Sequence, residues 1–290
     1  MVKNEGWRYD VARSFQYPGG ELHLKDVDNL LRDPRAVWVA DVRGAVLDDL
    51  GYAALLADVA HQRQAPFVLF YPYLPAGRSD HVGSPDPLGV RVYADLVASF
   101  NPQQVIGIDP HSHISARYYR NLTALDPTPL VMQSLEGDLM TRGYGQDHPH
   151  HWWDGVIAPD KGAVERAGKV AEALGRPLFT ADKVRVQYTG KIESITPPEG
   201  LDPGGQYLVV DDICDGGGTF IGLAKAMGLS REQLGLWVTH GIFSGNAQNL
   251  RGYYNRIYTT DSHPGHNRVG VATSVVQVET YMTQNMKGFG

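Results

Sequence analysis

Short apolar runs at residues 37–42, 67–71 and 105–109 alternate with longer stretches, 47–62 and 90–100, whose apolar positions recur at helical spacing. Runs this short, nearly continuous in apolar residues and separated by helices, predict strands of a parallel sheet buried on both faces. The pattern resumes with strands at 155–158, 177–180, 207–210, 234–239 and 257–260, and with helices at 162–174 and from Thr219 to Met227. Between the two blocks, residues 142–153 (Arg-Gly-Tyr-Gly-Gln-Asp-His-Pro-His-His-Trp-Trp) have no regular period and read as a connection. The expected organisation is therefore two similar α/β halves, residues 1–145 and 146–290, each on a central, mostly parallel sheet.

One stretch carries more chemistry than the rest. The apolar strand ending at Val210 runs into Asp211 and Asp212, and then into Ile213-Cys-Asp215, Gly216, Gly217, Gly218 and Thr219, where a helix opens. Glycines permit positive φ and close backbone approach, and the free N–H groups at a helix N-terminus face an anion. Carboxylates at the carboxyl end of a strand sit where open α/β sheets bind ligands, and they suit ribose hydroxyls or a hydrated Mg²⁺. Two adjacent acids after a buried strand are costly without a partner. The pattern is neither a Walker A loop, which needs Gly-Lys-Ser/Thr, nor a dinucleotide fingerprint, in which the acid follows the glycines.

Composition narrows the class. With 290 residues, 42% hydrophobic and 20% charged, the chain is long enough for two globular domains. A net charge of −6 argues against a nucleic-acid surface as its main business. The single Cys214 excludes an intramolecular disulfide framework and reads as a small packed residue. No apolar run is long enough to span a bilayer, and the first residues lack a signal peptide's apolar core, so a cytoplasmic protein without a membrane partner is expected.

Six segments, in order, resemble the ribose-phosphate diphosphokinases, the enzymes that make phosphoribosyl pyrophosphate. Tyr71-Pro-Tyr-Leu-Pro-Ala-Gly-Arg78-Ser-Asp80 is similar to that family's nucleotide segment, and Ile108-Asp-Pro-His111 to its metal segment. Ala158-Pro-Asp160-Lys-Gly162 matches its Ser-Pro-Asp-x-Gly turn, and Asp182-Lys183-Val-Arg185 the start of its catalytic loop. The acidic-glycine loop is the fifth segment and Thr239-His-Gly-Ile-Phe-Ser-Gly-Asn-Ala247 the sixth. The resemblance implies two phosphoribosyltransferase-like (type I) domains, ATP as co-substrate with Mg²⁺, and a homo-oligomer. By the same resemblance, Lys183 and Arg185 act on the transferring diphosphoryl group, and His111 and Asp160 serve the metal. Arg78 and Asp80 bind ATP, joined by Tyr17 and Glu21 on an early hairpin. Asp211, Asp212, Asp215, Gly216, Gly217, Gly218 and Thr219 hold the ribose phosphate. Residues 182–197, polar and without a clear period, predict a mobile flap over the β-phosphate.

Several positions depart from the family's pattern. Ser79 stands where relatives have Gln, Gly19 replaces an amide or acid, and Pro85 occupies the place of an effector-binding Arg. Gly216 takes the place of a Thr and removes one hydroxyl donor from the 5′-phosphate pocket, at a cost to a dianionic phosphate of about 1 kcal/mol or somewhat more. A phosphodiester would lose less, which makes ADP-ribose an alternative acceptor to ribose 5-phosphate, with Tyr118, Tyr119, Trp152 and Trp153 as stacking or core residues. A true phosphoribosyltransferase and a catalytically silent regulator of a synthetase are the other readings. Retention of Lys183, Arg185, His111 and Asp160 speaks against the last.

Overall fold

The computed structural model describes residues 12–25, 27, 36–80, 83, 85–141, 153–185, 192–268 and 270–288. The chain forms two compact units, Met1–Leu125 with Glu279–Gly290, and Asp126–Val278.

In the first unit, β1 (Arg13–Gln16) and β2 (Leu22–Lys25) make an antiparallel hairpin. The main sheet is four-stranded and parallel: β3 (Trp38–Asp41), β4 (Phe67–Phe70), β5 (Gln104–Ile108) and β6 (Leu122–Leu125), in that order. Helices α1 (Leu47–Gln62) and α2 (Gly89–Ser99) form the crossovers that parallel neighbours require, and α3 (His113–Tyr118) follows β5. Every residue of β4 and β5 is buried, as expected of strands covered on both faces. Leu50, Ala53, Ala57 and Ala60 of α1 lie one turn apart and pack on Trp38, Phe67 and Leu69.

The second unit opens with α4 (Thr128–Thr141), followed by β7 (Gly155–Ala158), α5 (Val164–Leu174), β8 (Leu178–Thr180), β9 (Asp182–Arg185), β10 (Ile192–Thr196), β11 (Tyr207–Cys214), α6 (Gly218–Met227), β12 (Leu234–Gly241), β13 (Arg256–Thr260) and β14 (Ser274–Val276). Six of these strands form one parallel sheet in the order β14-β13-β12-β11-β7-β8. The two parallel sheets give the α/β class that the hydrophobic pattern predicts. Residues 142–152, where a division near 145 is expected, lie outside the described ones; α4 packs against α5 and β14, and so belongs to the second unit.

Two local readings change. The strand expected to stop at Val210 runs on to Cys214, with Asp211 still in register opposite Val238. Asp211 and Asp212 are therefore strand residues, held in the ladder by a cation described below. The aperiodic stretch 182–197 is an antiparallel hairpin, β9 against β10, with residues 186–191 outside the described ones. Ile195 of β10 packs onto α6 so closely that a Cβ at Gly222 would sit 2.8 Å from its Cδ1. The chain's last residues are tied down in the first unit: α7 (Glu279–Gln284) leads to Asn285, whose carbonyl accepts from Gln104 Nε2 at 3.1 Å, and the Lys287 amide donates to Gln104 Oε1 at 3.0 Å. Tyr119 and Trp153 are core residues rather than stacking surfaces, with Trp153 lying against bare Gly235; Trp152 is outside the described residues.

Candidate functional site

Parallel pairing of β7 with β11 brings the carboxyl ends of both strands to one edge of the sheet. From β7 the chain turns at Asp160, whose Oδ1 accepts the Gly162 amide at 2.9 Å and caps a short 3-10 turn, residues Lys161–Ala163, leading into α5. From β11 come Asp211 and Asp212, then Asp215 and the glycines at the N-terminus of α6. Asp160 is close enough to Asp211 for its charge to disfavour ionisation there.

The cation that keeps two acids inside a buried strand is Arg166, on the second turn formed after Asp160. Its Nη1 lies 3.3 Å from Asp211 Oδ1 and its Nη2 3.6 Å from Asp212 Oδ2, with the three side chains 11%, 14% and 4% exposed. The Asp212 amide also donates to Asp211 Oδ1 at 2.9 Å, and the Ile213 amide to Asp212 Oδ1 at 2.8 Å. Burial pushes the Asp211 carboxyl well up and the neighbouring Asp212 charge adds to it, while Arg166 pulls in the opposite direction. Arg166 did not figure among the expected site residues. Its one signal in the sequence is the cost of the acid pair itself, which demands a cation.

The loop after β11 is held from behind. Amides of Ile242 and Phe243 both donate to the Cys214 carbonyl at 3.0 Å, and the Ser244 amide to the Asp215 carbonyl at 3.1 Å. Phe243 takes a φ of +48° to do so, a conformation costly for an aromatic residue and thus a sign of constraint beside a site. Further back, His240 Nδ1 and Ser262 Oγ are 2.7 Å apart, and the His263 imidazole, its Nδ1 accepting from the Gly265 amide, is pushed down to about 4, first by burial and then by His240. Burial pushes the Cys214 thiol far up, which suits a packed residue and not a nucleophile.

The three glycines do different work. Gly217 has a φ of +81°, and a Cβ there would lie 2.9 Å from Leu250 Cγ, so packing and backbone both require glycine. At Gly218 nothing lies within 4 Å, and at Gly216 only Ser244 Oγ, at 3.9 Å. A side chain at either position would project into open space at the α6 N-terminus, where an anion could sit. Gly217→Ala is expected to lose about 2 kcal/mol or more of stability. Gly218→Ala should hold stability and still lower turnover, by filling that space alone. Urea midpoints measured alongside turnover separate the two effects.

At the root of the β9–β10 hairpin, the Ala181 amide donates to the Ala158 carbonyl at 2.9 Å, and Lys161 Nζ lies 3.3 Å from Asp182 Oδ2. Lys183 and Arg185 are on β9, and their side chains are outside the described ones.

In the first unit, the turn containing Arg78 lies against the residues after β5: a Cβ on Gly77 would be 3.1 Å from His111 Cβ. Asp80 is buried and accepts a hydrogen bond from the Ser112 hydroxyl, and Ser112 caps α3. Asp80 thus meets the residue that follows the metal segment of the resemblance, while Arg78 and His111 are exposed. Ser79 Oγ donates to the Pro87 carbonyl at 3.1 Å and accepts from the Gly89 amide at 3.4 Å, which ties the residue that replaces Gln to the start of α2. Asp109, buried with a φ of +44°, is a strained residue at this edge that was not anticipated. Tyr17, 47% exposed, and Glu21 close the β1–β2 hairpin, where the Tyr17 amide donates to the Glu21 carbonyl.

Residues 148–231 match the phosphoribosyl transferase domain family. Over 254 residues, 86% of this chain and 83% of the relative, the sequence is 26% identical to a ribose-phosphate pyrophosphokinase of Pyrococcus abyssi. Over 251 residues, 85% and 83% respectively, it is 28% identical to that of Thermococcus kodakarensis. The chain is similar to ribose-phosphate pyrophosphokinases over most of its length. A phosphoribosylpyrophosphate synthetase from Mycobacterium smegmatis shares the fold, with a TM-score of 0.72 at 19% identity over 94% of this chain and 88% of that one. Against the family's pattern, the edge that holds Asp160, Asp211, Asp212 and the glycine loop falls inside the matched domain.

Proposed function

We propose that this protein transfers the β,γ-diphosphoryl group of ATP to the anomeric hydroxyl of ribose 5-phosphate, giving phosphoribosyl pyrophosphate and AMP. The observation that carries the reading is the open α6 N-terminus beside a row of carboxylates on one sheet edge. Amides of residues 216–219 would take the 5′-phosphate, with Thr219 and Asp215 completing the pocket. Asp211 and Asp212 would take ribose hydroxyls. Lys183 and Arg185 would meet the charge developing on the transferred group, since such reactions are catalysed mainly by positioning and cationic stabilisation. Arg78, with Asp80 behind it, and Tyr17 and Glu21 would serve ATP.

The donor set fits Mg²⁺. Asp160, Asp211 and Asp212 outnumber Arg166 at an edge meant for phosphates, and an excess of acid beside an anion calls for a divalent cation. As the resemblance implies, Asp160 and His111 would serve the ion, which keeps waters and substrate oxygens of its own. Bound there, it would neutralise charge on the phosphate oxygens.

A second reading, ADP-ribose as acceptor, is favoured by Gly216, where the nearest atom to an added Cβ is 3.9 Å away and a substituent on the phosphorus finds room. Pure protein incubated with ATP, Mg²⁺ and each sugar separately tests both. AMP release with ribose 5-phosphate, and a product of the mass of phosphoribosyl pyrophosphate, is the expected result. Release only with ADP-ribose reverses the order of the two acceptors, and release with neither removes the enzyme reading.

A further inference from the structure

Near the amino ends of β12 and β13, three arginines converge. Arg231 lies in the 3-10 turn before β12, Arg251 in the turn of residues Ala247–Gly252, and Arg256 is the first residue of β13. Backbone bonds lock the three segments together: the Asn255 amide donates to the carbonyls of Arg231, at 3.1 Å, and Leu234, at 3.0 Å, while the amides of Tyr253 and Tyr254 both donate to Leu250. Arginines are ordinarily held apart or paired with carboxylates. Among the described residues the one carboxylate with a contact to the group is Asp138, whose Oδ2 is 3.2 Å from Arg256 Nε and also accepts from the Tyr258 hydroxyl at 3.0 Å. Three guanidiniums against one carboxylate leave an excess of positive charge.

The donors are also unmet. Arg231 Nε and Arg251 Nη1 are shielded from solvent and have no hydrogen-bond partner among the described residues. Each such donor costs about 1–3 kcal/mol, more for a charged group, and that cost persists only where something else draws on it. Burial holds the Arg251 guanidinium below its ordinary range, and Arg231 and Arg256 push in the same direction. All three residues are partly exposed, so their forks can be reached from solvent and can turn about the terminal bond to present the shielded N–H groups.

We propose that Arg231, Arg251 and Arg256 form an anion site that takes a phosphate-like dianion, separate from the glycine loop. Planar forks match tetrahedral oxyanions two oxygens at a time, and an anion here would relieve repulsion and satisfy the unmet donors together.

Inorganic phosphate is the probe, titrated calorimetrically into the full chain at constant ionic strength. Two classes of site are expected. Arg251→Gln should remove one and leave the other, while Thr219→Val should weaken only the loop site. A wild-type protein with one class of site, lost in Thr219→Val, would overturn the proposal, as would Arg251→Gln with unchanged stoichiometry and affinity. Should that variant fail to fold, Arg251→Lys keeps the charge and loses the fork, and its affinity at this site should fall about tenfold; an unchanged affinity would overturn the assignment.

Discussion

Lys183→Ala is expected to lower turnover by about two to three orders of magnitude, the loss seen when one preorganised donor to developing charge is removed. Folding should survive, because β9 is anchored by backbone pairing to β10 and by its root on β7, and Ile195 of β10 carries the hairpin's packing onto α6. Single-turnover AMP release, measured beside the urea midpoint, separates the two. An unchanged midpoint with turnover within about threefold of wild type would end the role assigned to Lys183, whereas a parallel fall in both would make it a packing residue. Arg185→Ala should behave in the same way with a smaller loss if the two cations share the charge. A double variant no worse than the worse single would mark them as one unit.

What was legible in the chain follows what is local. Apolar runs buried on both faces, such as 67–70 and 104–108, and the turn glycine at 217 carry their reasons in their own neighbours. β11 was read too short because Asp211 and Asp212 end an apolar run, and what keeps them in the ladder is Arg166, 45 residues earlier in the chain. Segments of mixed burial, such as β6 with its half-exposed residues, have no clean period to detect. The β9–β10 hairpin escaped for a related reason: its register slips between Ile192 and Ser194, which breaks the alternation that marks a strand. Tail docking through one buried glutamine, Gln104, leaves no trace in either segment's pattern. For the site, residue types at the loop were readable, but the support of Cys214 and Asp215 by residues 242–244 is main-chain bonding and hence invisible in side-chain identities.

The largest expected effect on stability is at Arg166. Arg166→Met keeps the stem and removes the charge that two nearly buried carboxylates share, and breaking a buried pair by removing one partner costs about 3–5 kcal/mol. Its pH dependence distinguishes lost charge from lost packing. Asp211 already has its carboxyl held above the ordinary range in the folded protein, so between the ordinary carboxylate value and that raised value the folded state binds more protons than the unfolded one. Across that window stability falls as pH rises. Without Arg166 the folded value moves further up, the window widens, and the penalty should be smallest in mild acid and largest at neutral pH and above. Urea midpoints over a pH series read this directly; a penalty that does not vary with pH would mean that the guanidinium acts through its packing alone. In Arg166→Met with Asp212→Asn, one of the stranded charges is gone, and the double variant should be more stable than Arg166→Met by itself at neutral pH. That coupling is the mark of an acid pair retained at a cost to the fold, which is the physical reason to place the ligand at Asp211 and Asp212.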